Sequence, residues 1–266
     1  MIDAILNYNF MQNALIAAIL ASVACGIIGT IIIEKKLVML SGGVAHTSFG
    51  GIGLGYLMGF EPIIGAFIFS IISSLSISHI NRRAKTNSDA LIGMFWSTGM
   101  ALGILFIAFT EGYPPDMNSY LFGDILTVSN ISINMMIIVD IIVIGSIFMF
   151  FNYWKAYLFD EEFAKVLGMP TRFLENFLFI LIALTIVTLL KVVGIILVLA
   201  LLTIPPSIAK LFTYDFKKII VTSIILGMII TISGLFISYQ FNIASGATII
   251  LLGTMMYFIA FIIKKV

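Results

Sequence analysis

Charged residues are scarce in this chain of 266 residues, of which Asp, Glu, Lys and Arg make up only 10%. A soluble domain carries about 25% charged residues, so this chain has too little polar surface to cover a water-soluble globule. Its 14 basic and 13 acidic residues leave a formal net charge of +1. This balance excludes the basic surface that nucleic-acid binding requires, and we expect no nucleic-acid partner.

Cysteine and histidine are also scarce, which excludes several kinds of catalytic site. The single cysteine, Cys25, can form neither an intrachain disulfide nor a thiolate metal cluster. The two histidines, His46 and His79, are too far apart in sequence to suggest a histidine-built zinc enzyme. No glycine is followed by lysine, and no His-Glu-x-x-His pair occurs. The sequence therefore predicts no ATPase site, no intramembrane enzyme and no stably bound cofactor.

Long apolar runs take the place of the missing polar surface. The chain is 61% hydrophobic, with a mean hydropathy of +1.17. Runs of 18 or more apolar residues predict membrane-spanning helices, each of about 20 residues. The sequence thus predicts an all-α, polytopic transmembrane helical bundle, as a single domain over residues 1–266. About nine spans are expected, at Phe10–Ile33, Leu37–Gly59, Pro62–Ile80, Ala90–Thr110, Ile131–Phe151, Arg172–Leu190, Val192–Leu211, Ile219–Tyr239 and Ser245–Ile263.

Eight spans with a re-entrant segment is the alternative, because the second span is rich in Gly and Ser and only the segment Lys191–Gly194 separates the sixth from the seventh. With nine spans, every basic residue except Lys191 falls in alternate gaps or in the C-terminal tail. Short cytoplasmic loops collect Lys and Arg, so the N-terminus is predicted outside and the C-terminus in the cytoplasm.

The outer segments carry the acidic residues Asp3, Glu61, Glu111, Asp116 and Asp124. They could concentrate cations, although solvated loops with scattered acids look the same.

Two stripes of small residues run along the second predicted span. One stripe repeats every four residues and lets helix backbones approach closely in a bilayer; its members are Gly43, Thr47, Gly51, Gly55 and Gly59. The other places Gly42, Gly50 and Gly53 around His46, and predicts free volume beside the imidazole. Ionisable groups inside a membrane usually face an interior path. His46 is therefore either a group on a cation path or a histidine hydrogen-bonded to a neighbouring helix.

Other polar or helix-breaking residues in the spans also admit more than one interpretation. Asp140, in the fifth span, suits a proton or cation pathway, or a hydrogen-bonded interior acid. His79 lies beside Arg82, whose positive charge disfavours metal binding, so we interpret it as an interfacial residue. Pro205 and Pro206 interrupt the seventh span, as a simple kink, as a hinge or as part of a pathway lining.

A short, separately capped helix is predicted near residues 159–170, between the fifth and sixth spans. Asp160 suits the N-cap, and the two glutamates after it complement the positive helix end. Gly168 can supply the left-handed C-terminal position, and Pro170 bars continuation. A rigid helix in a cytoplasmic loop could couple a permease to a motor subunit, although a helical loop without a partner shows the same pattern. The candidate coupling residues are Asp160, Glu161, Glu162, Lys165 and Gly168.

Short motifs occur in a fixed order along the chain: Phe10–Ala14, Ala45-His46, Ser119–Leu126, Phe159–Glu162, Ala183–Thr185, Lys191–Gly194, Ile204-Pro205 and Ser245–Thr248. In these motifs the chain resembles, nearly end to end, the permease family of ATP-binding-cassette importers for zinc, manganese and iron. The resemblance implies a homodimeric or paired channel in the prokaryotic cell membrane. It also implies a peripheral ATPase that supplies energy and an extracellular metal-binding lipoprotein that delivers the ion.

The resemblance also bears on the metal path. It implies that His46 lies on this path, and the acidic residues Asp116 and Asp124 could feed cations towards it. This chain has Ser41-Gly42 where family members commonly show Gly-Asp, so the partner of His46 is unassigned. Oxygen-rich sites favour manganese, whereas nitrogen-rich sites suit zinc and other late transition metals.

Two functions from different classes follow. The first is the permease subunit of an ATP-driven importer of divalent transition-metal ions, without an ATPase site of its own. The alternative is an ion- or proton-coupled secondary carrier that uses His46 and Asp140. Carriers often contain inverted repeats with paired broken helices, and this chain has no convincing repeat and only one broken segment.

Overall fold

The computed structural model describes residues 8–84, 88–111, 120–121, 123 and 125–265. This part of the chain is helical, with a 3-10 turn at Ile125–Thr127 and no β-strand among the described residues. Its α-helices are α1 (Asn9–Glu34), α2 (Val38–Met58), α3 (Pro62–Ala84), α4 (Ser88–Ala108), α5 (Asn130–Met149), α6 (Phe151–Phe159), α7 (Glu161–Val166), α8 (Thr171–Phe212), α9 (Phe216–Phe241) and α10 (Ser245–Lys265).

Seven helices within the described ranges are long and apolar enough to cross a membrane, namely α1, α3, α4, α5, α8, α9 and α10. The Gly- and Ser-rich helix α2 has 21 residues but is not among them. The predicted all-helical architecture with many apolar helices is therefore confirmed. The count of nine spans stays a prediction.

The predicted interruption at Lys191–Gly194 lies within α8, whose range is Thr171–Phe212. The helical conformation breaks at Gly194, the last residue of that segment, with φ 76° and ψ 161°. Only glycine adopts this conformation readily. Gly123 also has a positive φ. A Cβ atom added to Gly123 would overlap the backbone of Val193 and Gly194. Two glycines in backbone contact mark this break.

Helix α8 stays helical through Pro205 and Pro206, and both residues are buried, so the predicted kink or hinge there stays a prediction. A proline inside a helix leaves the carbonyl four residues earlier without its usual donor. For Pro206 this is the carbonyl of Leu202, and the backbone of Gly29 in α1 packs directly against it. A glycine in the neighbouring helix thus makes room for the proline pair.

The chain divides into two compact units. The first comprises Met1–Lys35, Asn118–Phe151 and Thr188–Val266. The second comprises Lys36–Met117 and Asn152–Val187. In the first unit α1 packs against α5 and α9, and α9 packs against α10. In the second unit α2 packs against both α3 and α4.

Hydroxyl groups connect α1 to α9 within the first unit. The hydroxyl oxygens of Ser22 and Thr231 lie 3.2 Å apart, and Thr30 donates to the Ser223 hydroxyl at 3.4 Å. All four side chains are buried. Helices in a bilayer associate through small residues and such interhelical hydrogen bonds, since hydrophobic burial gives no advantage there. These pairs therefore contribute to the packing of α1 on α9, together with the contact of Gly26 with the Ile224 backbone.

Backbone contacts dominate the second unit, as the first glycine stripe predicts. A Cβ atom on Gly51 would overlap the backbone of Gly65 in α3. A Cβ atom on Gly99 in α4 would lie 2.5 Å from the Cα atom of Thr47. The Thr47 hydroxyl also donates to the carbonyl of Phe95 at 3.2 Å. The stripe of α2 is thus confirmed as a surface for close helix approach at Thr47 and Gly51, whereas a Cβ atom on Gly59 would meet no atom within 4 Å.

Candidate metal path and coupling helix

His46 lies in α2 of the second unit and is half-buried. Its ring stacks on the indole of Trp96 in α4, with centroids 4.1 Å apart and planes 9° apart. The ring of Phe49 lies further away, at 6.2 Å between centroids. The Trp96 contact fixes the plane in which the imidazole nitrogens lie.

The Nδ1 atom of His46 is buried and has no hydrogen-bond partner among the described residues. The predicted hydrogen bond to a neighbouring helix is therefore not seen for this nitrogen in the described part of the chain. A neutral imidazole keeps one lone pair, which can accept a proton or bind a transition metal. His46 thus has the chemistry of a ligand, while its ring is held by stacking.

The predicted free volume around His46 is wrong, because the glycines beside it are packed. A Cβ atom on Gly42 would lie 3.3 Å from the Trp96 ring. One on Gly50 would lie 2.7 Å from the Phe69 ring, and one on Gly53 would lie 2.6 Å from the carbonyl oxygen of Gly103. These glycines bring α3 and α4 close to α2, so the predicted free volume is not found beside them.

The acidic residues predicted for the metal path, Asp116 and Asp124, lie outside the described residues, as does Asp3. Within the described ranges there is no group of three or more His, Cys, Asp or Glu side chains able to hold a metal ion. His46 is therefore a candidate contact on a path and not part of a complete resident metal site among the described residues.

Asp140 lies on α5 of the first unit, only 5% exposed. Its Oδ2 atom has no hydrogen-bond partner in the described part of the chain, which leaves both predicted interpretations of this acid open.

His79 is exposed on α3, near Arg82 and Arg172, around a cavity of about 710 Å³. The position of His79 agrees with the predicted unfavourable surroundings for a metal ion.

The short capped helix is present as predicted, with α7 at its centre. The carboxylate of Asp160 accepts a hydrogen bond from the Phe163 backbone N–H at 2.8 Å, which makes it the N-cap. Gly168 has φ +74°, and its N–H donates to the Lys165 carbonyl. The N–H of Met169 donates to the Ala164 carbonyl, which completes a Schellman motif. Local sequence signals therefore determine both ends of this helix.

The predicted coupling residues mostly build α7 itself. Asp160 and Gly168 terminate it, and Glu161 pairs with Lys165 at 2.8 Å, one turn apart. Glu162 is exposed. Exposed ion pairs of this kind contribute less than about 1 kcal/mol, so the pair orders the helix only slightly.

Three exposed apolar side chains on α7 and its C-cap were missed in the sequence. Phe163 is 56% exposed, Val166 84% and Leu167 54%. Ala164, in contrast, is fully buried. The sequence does contain a signal for this exposure. A helix this short can bury only one side, so apolar residues on its other sides must be exposed. We call Phe163, Val166 and Leu167 the α7 apolar face.

Tyr157 and Trp154 anchor the segment before α7. Trp154 is fully buried and stacks on Phe177 of α8, with ring centroids 6.2 Å apart. Burial raises the pKa of the Tyr157 phenol well above its usual range; the nearby Glu161 raises it further, and Arg82 opposes the shift. The phenol therefore stays neutral at physiological pH. The buried side chains of Trp154 and Tyr157 give α7 a rigid base.

Many apolar helices, close glycine-mediated packing and one capped connecting helix define a multi-pass membrane protein. The chain belongs to the ABC 3 transport family, which matches residues 7–264. The resemblance predicted from the motifs is therefore confirmed. So is the predicted location, a multi-pass protein of the prokaryotic plasma membrane.

Two relatives and one solved structure cover nearly the whole chain. The membrane protein slr2045 of Synechocystis sp. is 42% identical over 98% of this chain and 92% of its own length. The manganese transport system membrane protein MntC of Listeria monocytogenes is 36% identical over 98% and 93%. The structure of PsaBC from Streptococcus pneumoniae in complex with Fab matches with a TM-score of 0.87 and 33% identity, covering 98% of this chain and 94% of that chain.

Proposed function

We propose that this chain is the membrane-spanning permease subunit of an ATP-driven importer of divalent transition-metal ions, and that manganese is the ion transported. The observation that carries this proposal is the 36% identity to MntC, a manganese transport system membrane protein, over nearly both full lengths. ScaB of Streptococcus gordonii, a manganese import system permease, is 34% identical over 98% of this chain. Membership of the family favours this function over a self-contained carrier.

Energy comes from a separate, peripheral ATPase, because the sequence has no phosphate-binding loop of the Gly-Lys-Ser/Thr kind. The α7 apolar face is the contact that this ATPase uses. Apolar side chains more than half exposed on a rigid, capped helix support this role, since protein interfaces are centred on such anchors. The caps let the helix transmit a displacement instead of fraying.

Nine spans are part of the proposal, with the N-terminus outside. Helix α8 would be roughly 63 Å long if straight, about twice the 30 Å of the hydrocarbon core. If the chain turns back at Gly194, each half of α8 forms one span. The basic residues at the start and at the end of α8 then both lie on the cytoplasmic side. Its start carries Arg172, and its end carries Lys210, which pairs with Glu34 at the end of α1 at 3.0 Å. Lys191, near the turn, then lies outside.

His46 is the proposed contact on the metal's path. Its buried Nδ1 lacks a hydrogen-bond partner in the described part of the chain, and stacking on Trp96 holds its ring. Asp116 and Asp124 are proposed to draw cations towards the outer end of this path. An extracellular lipoprotein delivers the ion there, and a second copy of the chain completes the channel.

Replacing His46 by Gln should slow metal uptake at least about tenfold, because the amide is similar in size but a poorer ligand than imidazole. The measurement is initial uptake of radioactive manganese by cells that carry only the variant. His79→Gln is the matched control, since His79 is exposed beside arginines and should leave uptake unchanged. Normal uptake by His46→Gln would show that His46 is only a packing residue.

The substrate itself is tested by competition. In cells lacking this chain, its return on a plasmid should restore manganese uptake, and unlabelled manganese should inhibit this uptake at lower concentration than zinc or iron. Inhibition by zinc at the lowest concentration would make zinc the substrate and leave the permease function intact. If no divalent metal competes and none is taken up, the proposed function is wrong.

A further inference from the structure

The C-terminal part of α3 borders a cavity that neither the metal path nor the α7 apolar face uses. The cavity has a volume of about 710 Å³ and lies within the second unit. Three side chains that can carry positive charge line it, together with hydroxyl and amide groups. They are His79, Arg82, Arg172, Ser76, Ser78 and Asn176.

The charge of this cavity is unbalanced. Of the described residues that line it, none is acidic. Arg82 pairs with Glu175, but Glu175 lines a neighbouring cavity beside α7. Arg172 is exposed and has no acidic partner in the described part of the chain. The cavity therefore presents cationic groups that remain available to an anion.

An apolar stripe on α3 leads to this cavity. Ile64, Ile68 and Ile72 recur every four residues, so they share one face of the helix. They are 52%, 48% and 58% exposed, and α3 is one of the candidate spans. Leu75, at the edge of the cavity, continues this face towards His79. The stripe would contact hydrocarbon, and the cationic groups lie where it ends.

We propose that this cavity and stripe bind an anionic phospholipid. Its phosphate lies among Arg172, His79 and Arg82, which donate charge-assisted hydrogen bonds, and one acyl chain follows the isoleucine stripe. Basic pockets between membrane helices bind such headgroups. A cationic cavity at the end of an apolar stripe matches the two parts of a phospholipid, whereas a soluble phosphate would use only the cavity.

The test is native mass spectrometry of the full chain, purified in detergent, with added phosphatidylglycerol or phosphatidylcholine. Phosphatidylglycerol should bind more tightly, and Arg172→Gln should weaken its binding about fivefold, the contribution of one cationic side chain near an anionic lipid. Lys217→Gln is the matched control, because Lys217 is also exposed at the start of a helix but lies on α9, in the other unit. It should leave binding unchanged.

Three results would overturn the proposal. Equal losses for Arg172→Gln and Lys217→Gln would indicate diffuse attraction and no site. Displacement of the lipid by millimolar inorganic phosphate would identify a soluble anion as the ligand. If the spectra show dimers of the chain that bind no phosphatidylglycerol, this face would be assigned to a second copy of the chain.

Discussion

Replacing Val166 by Asp should abolish transport while leaving the chain folded in the membrane. Val166 is 84% exposed on the α7 apolar face, so the substitution disturbs little within the chain. At an interface, however, a buried unpaired carboxylate costs several kcal/mol. We expect binding of the ATPase to weaken at least about 30-fold, which corresponds to 2 kcal/mol. The measurement is co-purification with the ATPase, together with metal uptake by the same cells.

The matched control for this prediction is Ile243→Asp. Ile243 is also an exposed apolar residue, at 51%, in the connection between α9 and α10, which nine spans place outside. It should retain both ATPase binding and uptake. Cysteine pairs between α7 and the ATPase should also crosslink more readily than pairs from residues 82–89, where α3 is followed by α4. If Val166→Asp binds the ATPase normally, or only residues 82–89 crosslink, the assignment of α7 as the coupling helix is wrong.

The second large effect is expected at Gly51, where α2 approaches α3. A Cβ atom on Gly51 would overlap the backbone of Gly65, and backbone cannot move aside as a flexible side chain can. Forcing a methyl group into a packed core costs about 1–3 kcal/mol. Gly51→Ala should therefore lower the Tm of the purified chain by about 2–12 °C, since each kcal/mol shifts the Tm of a chain of this size by about 2–4 °C.

Gly93→Ala is the control, because a Cβ atom on Gly93 in α4 would meet no atom within 4 Å. Alanine has the higher helix propensity, so this variant should keep or slightly raise the Tm. Equal Tm values for the two variants would show that α2 and α3 do not make the backbone contact at Gly51.

Local signals made the α7 region predictable from the sequence. The N-cap at Asp160 and the left-handed Gly168 depend on residues within one or two turns, so both follow from residue type and spacing. The stripe containing Gly51 is predictable for a related reason, since small residues every four positions favour close helix contact.

Features that depend on distant partners could not be predicted. Free volume around His46 was expected because the sequence of α2 does not show that Trp96 fills the space beside Gly42. The contact between Ser22 and Thr231 joins residues 209 positions apart. The segment Lys191–Gly194 was visible as the interruption of α8, but the backbone contact between Gly123 and Gly194 within it joins distant residues and was not.

The central claim is that this chain forms a metal path and depends on a separate ATPase for energy. The most direct test reconstitutes the purified chain in liposomes, with and without that ATPase, and measures manganese uptake and ATP hydrolysis together. The account predicts neither activity from the chain alone, and both when the ATPase, ATP and the metal-loaded lipoprotein are present. Robust ATP hydrolysis by the chain alone, or manganese uptake driven by a proton gradient without ATPase, would contradict it.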